Sequence, residues 1–207
     1  MRLISLVLVK AMCFATVAFA YPSKDSENFC HGIKKWPKKA PILAPGQGKG
    51  LQETDLQKHF NTIDVGSALK NHMQKGFIFV DTRKHSDRKV GQIPYSLKIT
   101  ANPKDTTKKG SANEFSEKTL LKKINKLAKK IAKKNKKGGN IDLGLAGSYS
   151  SVSDLKDLQF IIFCNGRKCH RSSFGGCELL RLGVNKKNIH IMLDGYPGWS
   201  AANGPKS

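Results

Sequence analysis

Between residues 160 and 173 the chain reads Phe-Ile-Ile-Phe-Cys-Asn-Gly-Arg-Lys-Cys-His-Arg-Ser-Ser. Four apolar residues in succession are typical of a strand that is buried on both faces of a parallel sheet. A short basic loop follows, and the serine pair begins a helix that we predict from 172 to 182. This strand, loop and helix favour an α/β fold, in which functional sites lie beyond the carboxyl ends of the strands.

The same alternation continues on either side of this stretch. A second apolar run, from Phe77 to Val80, ends at Asp81, and the segments 96–99 and 189–193 predict further strands. Helical spacing of apolar residues predicts helices before and between these strands. We therefore expect an α/β domain with a mostly parallel sheet flanked by helices on both faces, with Asp81 and Cys164 at the same edge.

The 207 residues divide into three predicted parts. Residues 1–20 have the basic start, apolar stretch and Ala-Phe-Ala cleavage site of a signal peptide. Residues 21–60 are rich in proline, glycine and lysine, and we expect an extended N-terminal arm. Residues 61–207 are expected to form the domain. Export predicts a periplasmic or secreted protein, with no transmembrane segment after cleavage.

Lysine supplies most of the formal net charge of +22. Residues 104–137 contain 13 lysines and three acidic residues, and apolar residues recur there at helical spacing. This pattern predicts a lysine-rich helical insertion near 114–137, whose outer face is either solvated or binds an acidic protein partner or an anionic membrane surface. We expect no nucleic-acid binding, because aromatic residues do not interleave with these lysines.

Two cysteines in the basic loop are the candidate reactive groups. Cys164 ends a buried strand, and nearby cations together with a helix N-terminus lower the pKa of a thiol. We expect Cys164 to be the nucleophile and Cys169 to be a second redox or resolving thiol, although an inert disulfide between them is the alternative. Cys177 is expected in the core, and Cys30 is either a partner for another cysteine or an exposed thiol.

The rest of this loop is suited to hold a small tetrahedral anion, either a sulfur-containing anion such as thiosulfate or a sulfonate, or else phosphate or arsenate. A curled loop directs its backbone N–H groups inward, and basic side chains add positive potential. We expect no metal, because the spacing from Cys164 to Cys169 and His170 suits tetrahedral zinc poorly, and no cofactor is expected either. The predicted anion-binding residues are Asn165, Gly166, Arg167, Lys168, His170 and Ser172.

Two separated motifs resemble those of the rhodanese (sulfurtransferase) domain. The first is Phe-Val-Asp-Thr-Arg at 79–83, followed by Gly-Gln-Ile-Pro at 91–94. The second is the cysteine loop with the Asp-Gly-Tyr-Pro-Gly-Trp stretch at 194–199. The loop is similar to that of an exported bacterial subgroup that reads Cys-Asn-Gly-x-x-Cys-x-x-Ser. The resemblance covers the region from about Ile63 to Pro205.

This resemblance implies a thiosulfate sulfurtransferase-like enzyme. Its persulfide on Cys164 would carry sulfane sulfur from a donor such as thiosulfate to a thiol or cyanide acceptor. Arg171 corresponds roughly to the arginine near the end of the family's loop. Asp81 and Arg83 correspond to residues that brace the sheet edge beside the loop.

The loop also departs from the family pattern. Six residues separate Cys164 from Arg171, one more than in the cell-cycle phosphatase domains of this fold. The sequence therefore leaves open both the size of the anion and which cysteine attacks. Two alternative functions remain, namely a non-catalytic rhodanese-like module that binds an anion or a protein, and a thiol–disulfide redox protein that uses Cys164 and Cys169.

Overall fold

A five-stranded parallel sheet forms the centre of the domain in the computed structural model, which describes residues 28–32, 42–43, 51–102, 112–145 and 147–207. The described strands are β1 (Ile42–Leu43), β2 (Leu51–Gln52), β3 (Asn61–Ile63), β4 (Phe77–Asp81), β5 (Leu97–Lys98), β6 (Gln159–Phe163) and β7 (Ile189–Met192). The helices of seven or more residues are α1 (Glu53–His59), α2 (Val65–Asn71), α3 (Glu117–Asn135), α4 (Arg171–Arg181) and α5 (Gly195–Ala201).

The sheet has the strand order β3-β7-β6-β4-β5, and all of its pairings are parallel. The two long apolar runs, β4 and β6, lie next to each other near its centre. Their register pairs Asp81 with Phe163, so Cys164 and Asp81 lie at the same edge, as the sequence predicts. β1 and β2 form a separate parallel pair.

Alternate residues of the central strands enter two separate cores. Phe160 and Ile162 pack on the face that α1, α3 and α4 cover, whereas Ile161 and Phe163 pack on the face that α2 and α5 cover. Helices on both faces explain why these strands are apolar at every position. The predicted α/β class, with a mostly parallel sheet between two helical layers, is therefore confirmed.

The lysine-rich segment forms the longest described helix. Ser116 caps α3 by accepting the backbone N–H of Thr119 at 3.1 Å. One stripe of the helix is buried in the core and the lysines lie outside it, as expected for the region 114–137. The buried residues of this stripe are Leu120, Ile124, Leu127, Ala128 and Ile131.

The expected N-terminal arm of residues 21–60 needs correction at its end. α1 lies inside that range, and Leu51, Leu56 and Phe60 are buried in the main core. Leu56 and Phe60 are four residues apart, so they lie on one side of the chain and pack together against the sheet. The domain therefore begins before residue 61. The predicted signal peptide at 1–20 lies outside the described residues, and none of the described helices is long and apolar enough to cross a bilayer.

A disulfide joins Cys30 to Cys177, with 147 residues of sequence separation. Cys177 lies on the buried side of α4, so the expectation of a plain core residue was incomplete: its sulfur is bonded rather than free. Of the two alternatives left open for Cys30, pairing with another cysteine is the one that the structure shows. The sequence did not indicate which cysteine bonds to Cys30, because α4 and the segment 28–32 are far apart along the chain. Cys164 and Cys169 are both free thiols.

A buried ion pair stands at the end of β4. Arg83 donates from Nε to Oδ1 of Asp81 at 2.9 Å and from Nη2 to Oδ2 at 2.7 Å, and both side chains are fully buried. Arg83 Nη2 also donates to the Gly91 carbonyl, and Arg88 Nη2 donates to the Asp81 carbonyl at 2.8 Å. These contacts connect β4 to the segment that follows it, which is the geometry that a brace requires.

Replacing Cys30 by serine removes the disulfide without altering the buried side chain at 177. We expect the free energy of unfolding to fall by about 2–5 kcal/mol, because the cross-link restricts a long stretch of the unfolded chain. Urea denaturation followed by the fluorescence of the buried Trp199 measures this change. Dithiothreitol should destabilise the wild type to a similar extent and leave Cys30→Ser unchanged; equal effects on both would contradict the assignment.

Replacing Asp81 by asparagine leaves the guanidinium groups of Arg83 and Arg88 buried beside a neutral group. We expect a loss of about 3–5 kcal/mol in the free energy of unfolding, because an uncompensated buried charge is costly. Asp55→Asn is the matched control, since its exposed pair with Lys58 contributes little. Urea denaturation of both variants tests this, and equal stability of the two would refute a bracing role for Asp81.

Candidate active site

The loop after β6 is held at the sheet edge by its backbone. The carbonyl of Cys164 accepts the N–H of Tyr196 at 2.8 Å. Gly195 has φ +57°, and a Cβ there would lie 2.3 Å from the nitrogen of Gly166 and 2.4 Å from the Cys164 oxygen. Only glycine therefore allows the start of α5 to approach the loop this closely.

Cys164 is a buried thiol at the base of the loop. Its side chain is 1% exposed. The sulfur lies 2.8 Å from the carbonyl oxygen of Cys169 and 3.6 Å from Ser172 Oγ. Burial raises the pKa of the Cys164 thiol well above its ordinary value, and the hydrogen bond with the Cys169 side chain raises it further. At neutral pH this cysteine is therefore a protonated thiol that can donate.

Cys169 is the thiol that ionises first. The hydrogen bond from the Cys164 side chain lowers the pKa of Cys169 to about 6, opposed in part by burial. The backbone N–H groups of Asn165 and Arg171 and the positive charge of Arg171 lower it further. Cys169 is also half-buried, so solvent reaches more of it than of Cys164. The loop therefore provides a thiolate near neutral pH, and it does so at its second cysteine.

Two of the predicted anion-binding side chains form hydrogen bonds or ion pairs with acidic residues of the protein. Arg167 donates from Nη1 to Glu53 Oε2 at 2.8 Å, and its Nε lies 3.4 Å from Asp194 Oδ1. Glu53 raises the pKa of Arg167. Asn165 donates from Nδ2 to Asp87 Oδ2 at 2.8 Å. These two side chains tie the loop to its surroundings, so the anion must rely on other groups.

The remaining predicted residues are distributed around the same loop. Arg171 is the first residue of α4 and donates from Nη1 to the Ala101 carbonyl at 3.0 Å. His170 is buried at the cap of that helix, Ser172 faces Cys164, and Lys168 is exposed. The structure thus gathers Cys164, Arg171 and Ser172 near Cys169, together with the backbone of Asn165.

Sequence reasoning missed the acidic residues that hold this loop. Glu53 lies in the range assigned to the arm, and nothing in its local sequence indicates a contact with residue 167. Asp194 directly precedes the close-packed Gly195. Its place in a motif rich in glycine and aromatic residues was therefore the sequence signal that could have identified it as a contact of the loop. Across the described ranges, no three His, Cys, Asp or Glu side chains gather as they do around a metal ion.

Comparison with solved structures finds similar but distant chains. A protein of unknown function from Rhodopseudomonas palustris, described as a possible tyrosine phosphatase, is 16% identical; the match covers 80% of this chain and 98% of that one, with a TM-score of 0.44. A rhodanese-related protein from Thermoplasma volcanium is 15% identical, with 72% and 98% covered and a TM-score of 0.39. A protein from Bacillus halodurans is 17% identical, with 73% and 80% covered and a TM-score of 0.43.

No curated protein matches the chain. The family model described as the rhodanese-like domain, however, matches residues 66–202. This range begins within α2, ends directly after α5 and contains both cysteines of the loop. The resemblance drawn from the two motifs is therefore confirmed. Because the model covers well over half of its length, the chain belongs to the rhodanese-like domain family.

Proposed function

We propose that this protein is a rhodanese-type sulfurtransferase in which Cys169 is the attacking thiol. The observation that carries the proposal is the placement of two free thiols in the loop after β6, where Cys164 is 1% exposed and Cys169 is the more exposed of the two. The pKa of Cys169, lowered to about 6, agrees with this assignment. The family includes sulfurtransferases as well as members without catalytic activity. An ionised, partly accessible cysteine favours the catalytic alternative, since the thiolate is the reactive form.

The roles of the two cysteines differ from the expectation that Cys164 carries the persulfide. Cys164 is almost inaccessible and protonated, so it is poorly suited to attack a dissolved anion. The protonated Cys164 side chain instead lowers the pKa of Cys169 and so favours its thiolate. Arg171 and the loop N–H groups are the donors nearest to the negative charge that the reaction brings to this sulfur.

The proposed reaction has two displacement steps. The Cys169 thiolate attacks the outer sulfur of a donor such as thiosulfate, the sulfur–sulfur bond of the donor breaks, and sulfite leaves with the electron pair. The new persulfide on Cys169 then gives its outer sulfur to a thiolate or cyanide acceptor, and the Cys169 thiolate is restored. Neither step requires an external oxidant or reductant.

A thiol–disulfide redox function is the second candidate, and the adjacency of two free thiols favours it. The Cys164 thiol could attack the inner sulfur of the persulfide, which would form a Cys164–Cys169 disulfide and release hydrogen sulfide. In that case the disulfide, rather than the persulfide, would accumulate when no acceptor is present.

Mass spectrometry after incubation with thiosulfate separates these functions. We expect a gain of ~32 Da on Cys169 in the wild type and in Cys164→Ser, and no gain in Cys169→Ser, because only Cys169 is ionised and accessible. A persulfide retained in Cys169→Ser would assign attack to Cys164. A loss of ~2 Da with no persulfide in the wild type would favour the redox function.

The pH dependence of alkylation tests the lowered pKa directly. The rate constant for iodoacetamide on Cys169 should rise with pH through a midpoint near 6 and reach a plateau near neutrality, because only the thiolate reacts. In Cys164→Ala the midpoint should move upward, since the strongest hydrogen bond that lowers the pKa is lost. A wild-type midpoint at the ordinary thiol value, about 8.5, would contradict the assignment.

A further inference from the structure

A groove of about 450 Å³ lies between α3 and the segment 92–98 that leads into β5. A second hollow, of about 480 Å³, adjoins it along the same helix and shares Lys123 and Lys126. We call these two hollows together the lysine groove. Its basic side chains are Lys98, Lys122, Lys123, Lys126 and Lys130.

The positive charge of the lysine groove has little compensation. Glu114 is the acidic residue among the described residues that line it, and it lies 3.8 Å from Lys123 and 3.4 Å from His85. Burial lowers the pKa of both Lys98 and Lys123, and the nearby Arg88 and other lysines lower it further, whereas Asp81 raises that of Lys98 and Glu114 that of Lys123. Mutual repulsion of this kind is relieved when negative charge enters the groove.

An aromatic side chain holds part of this charge in place. The Nζ atoms of Lys130 and Lys134 lie 5.2 and 5.5 Å from the centre of the Tyr95 ring. Lys134 also donates to the Tyr95 hydroxyl at 2.8 Å. These contacts fix the lysines along one wall, which reduces the side-chain entropy that is lost when an anion binds.

The spacing of the lysines favours an extended ligand. Lys122 and Lys130, the first and last groove lysines on α3, are eight residues apart, which corresponds to ~12 Å along a helix, so a small anion cannot reach them all. A membrane surface is disfavoured because the apolar stripe of α3 is buried, and among the described residues Val90 is the large hydrophobic residue that is exposed. Stacking of nucleic-acid bases is disfavoured because Lys130 and Lys134 already lie against Tyr95.

We propose that the lysine groove binds an acidic segment of a partner protein in an extended conformation. This binding is independent of the proposed sulfur transfer. The groove nevertheless lies close to α4, because Asn113 donates to Glu178 and the ring of Phe115 packs beside Gly175. The end of the groove at Asn113 and Phe115 is therefore in contact with the helix whose first residue is Arg171.

Binding of a fluorescein-labelled peptide of about ten glutamates to the full chain tests the proposal. The groove variant is Lys122→Glu/Lys126→Glu/Lys130→Glu. The control variant, Lys118→Glu/Lys129→Glu/Lys136→Glu, makes the same change in net charge at exposed positions outside the groove. By fluorescence anisotropy we expect the groove variant to bind at least about 30-fold more weakly and the control less than about 3-fold more weakly.

Three results would overturn the proposal. The first is an equal loss of affinity in both variants, which would show attraction by net charge alone. The second is unchanged binding in the groove variant. The third is displacement of the peptide from the wild type by vesicles containing phosphatidylserine, together with weaker binding of these vesicles to both variants. That result would assign the surface to membranes. Circular dichroism of both variants establishes that the helix content is equal, and persulfide formation, measured separately, reports on the sulfur site.

Discussion

The approach of Gly195 to the cysteine loop is the constraint on which the site depends. At a separation that excludes a Cβ, the N–H of Tyr196 binds the carbonyl of Cys164 and closes the loop against α5. β6 fixes the residue directly before the loop, since Phe163 is paired on both sides within the sheet. These backbone contacts hold the start of the loop, and the side chains of Arg167 and Asn165 add further contacts along it.

The different environments of the two thiols follow from this closure. Cys164 lies at the end of β6 inside the protein, where burial favours its neutral form. Cys169 lies beside the first turn of α4, where backbone N–H groups and Arg171 favour its anion. The polar groups of Arg167 and Asn165 contact acidic residues rather than the two thiols. Arg167 binds Glu53 and Asp194, and Asn165 binds Asp87. The loop is thus less cationic towards a ligand than its composition indicates.

The sequence predicted the features that local pattern encodes. Uninterrupted apolar runs identified β4 and β6, because a strand that is buried on both faces is apolar at every position. Helical spacing identified α3, because a helix that is buried along one stripe is apolar at every third or fourth position. α1 and α5 were not predicted. Leu56 is the one buried residue of α1, so that helix shows no apolar period, and α5 contains glycine and proline. The pairing of Cys30 with Cys177 and the contact of Glu53 with Arg167 join distant segments, and no local property of either partner reveals such contacts. The lower pKa of Cys169 likewise depends on the burial of Cys164 and on the hydrogen bonds around Cys169, which spacing alone does not report.

The disulfide also determines which thiol chemistry the chain can perform on itself. Of the four cysteines in the described residues, Cys30 and Cys177 are bonded to each other. Cys164 and Cys169 consequently have only one another as intramolecular partners among these four, and an oxidant that reaches the loop can produce a single internal cross-link there. A disulfide formed between Cys164 and Cys169 would therefore leave the bond that joins the segment 28–32 to the core unchanged.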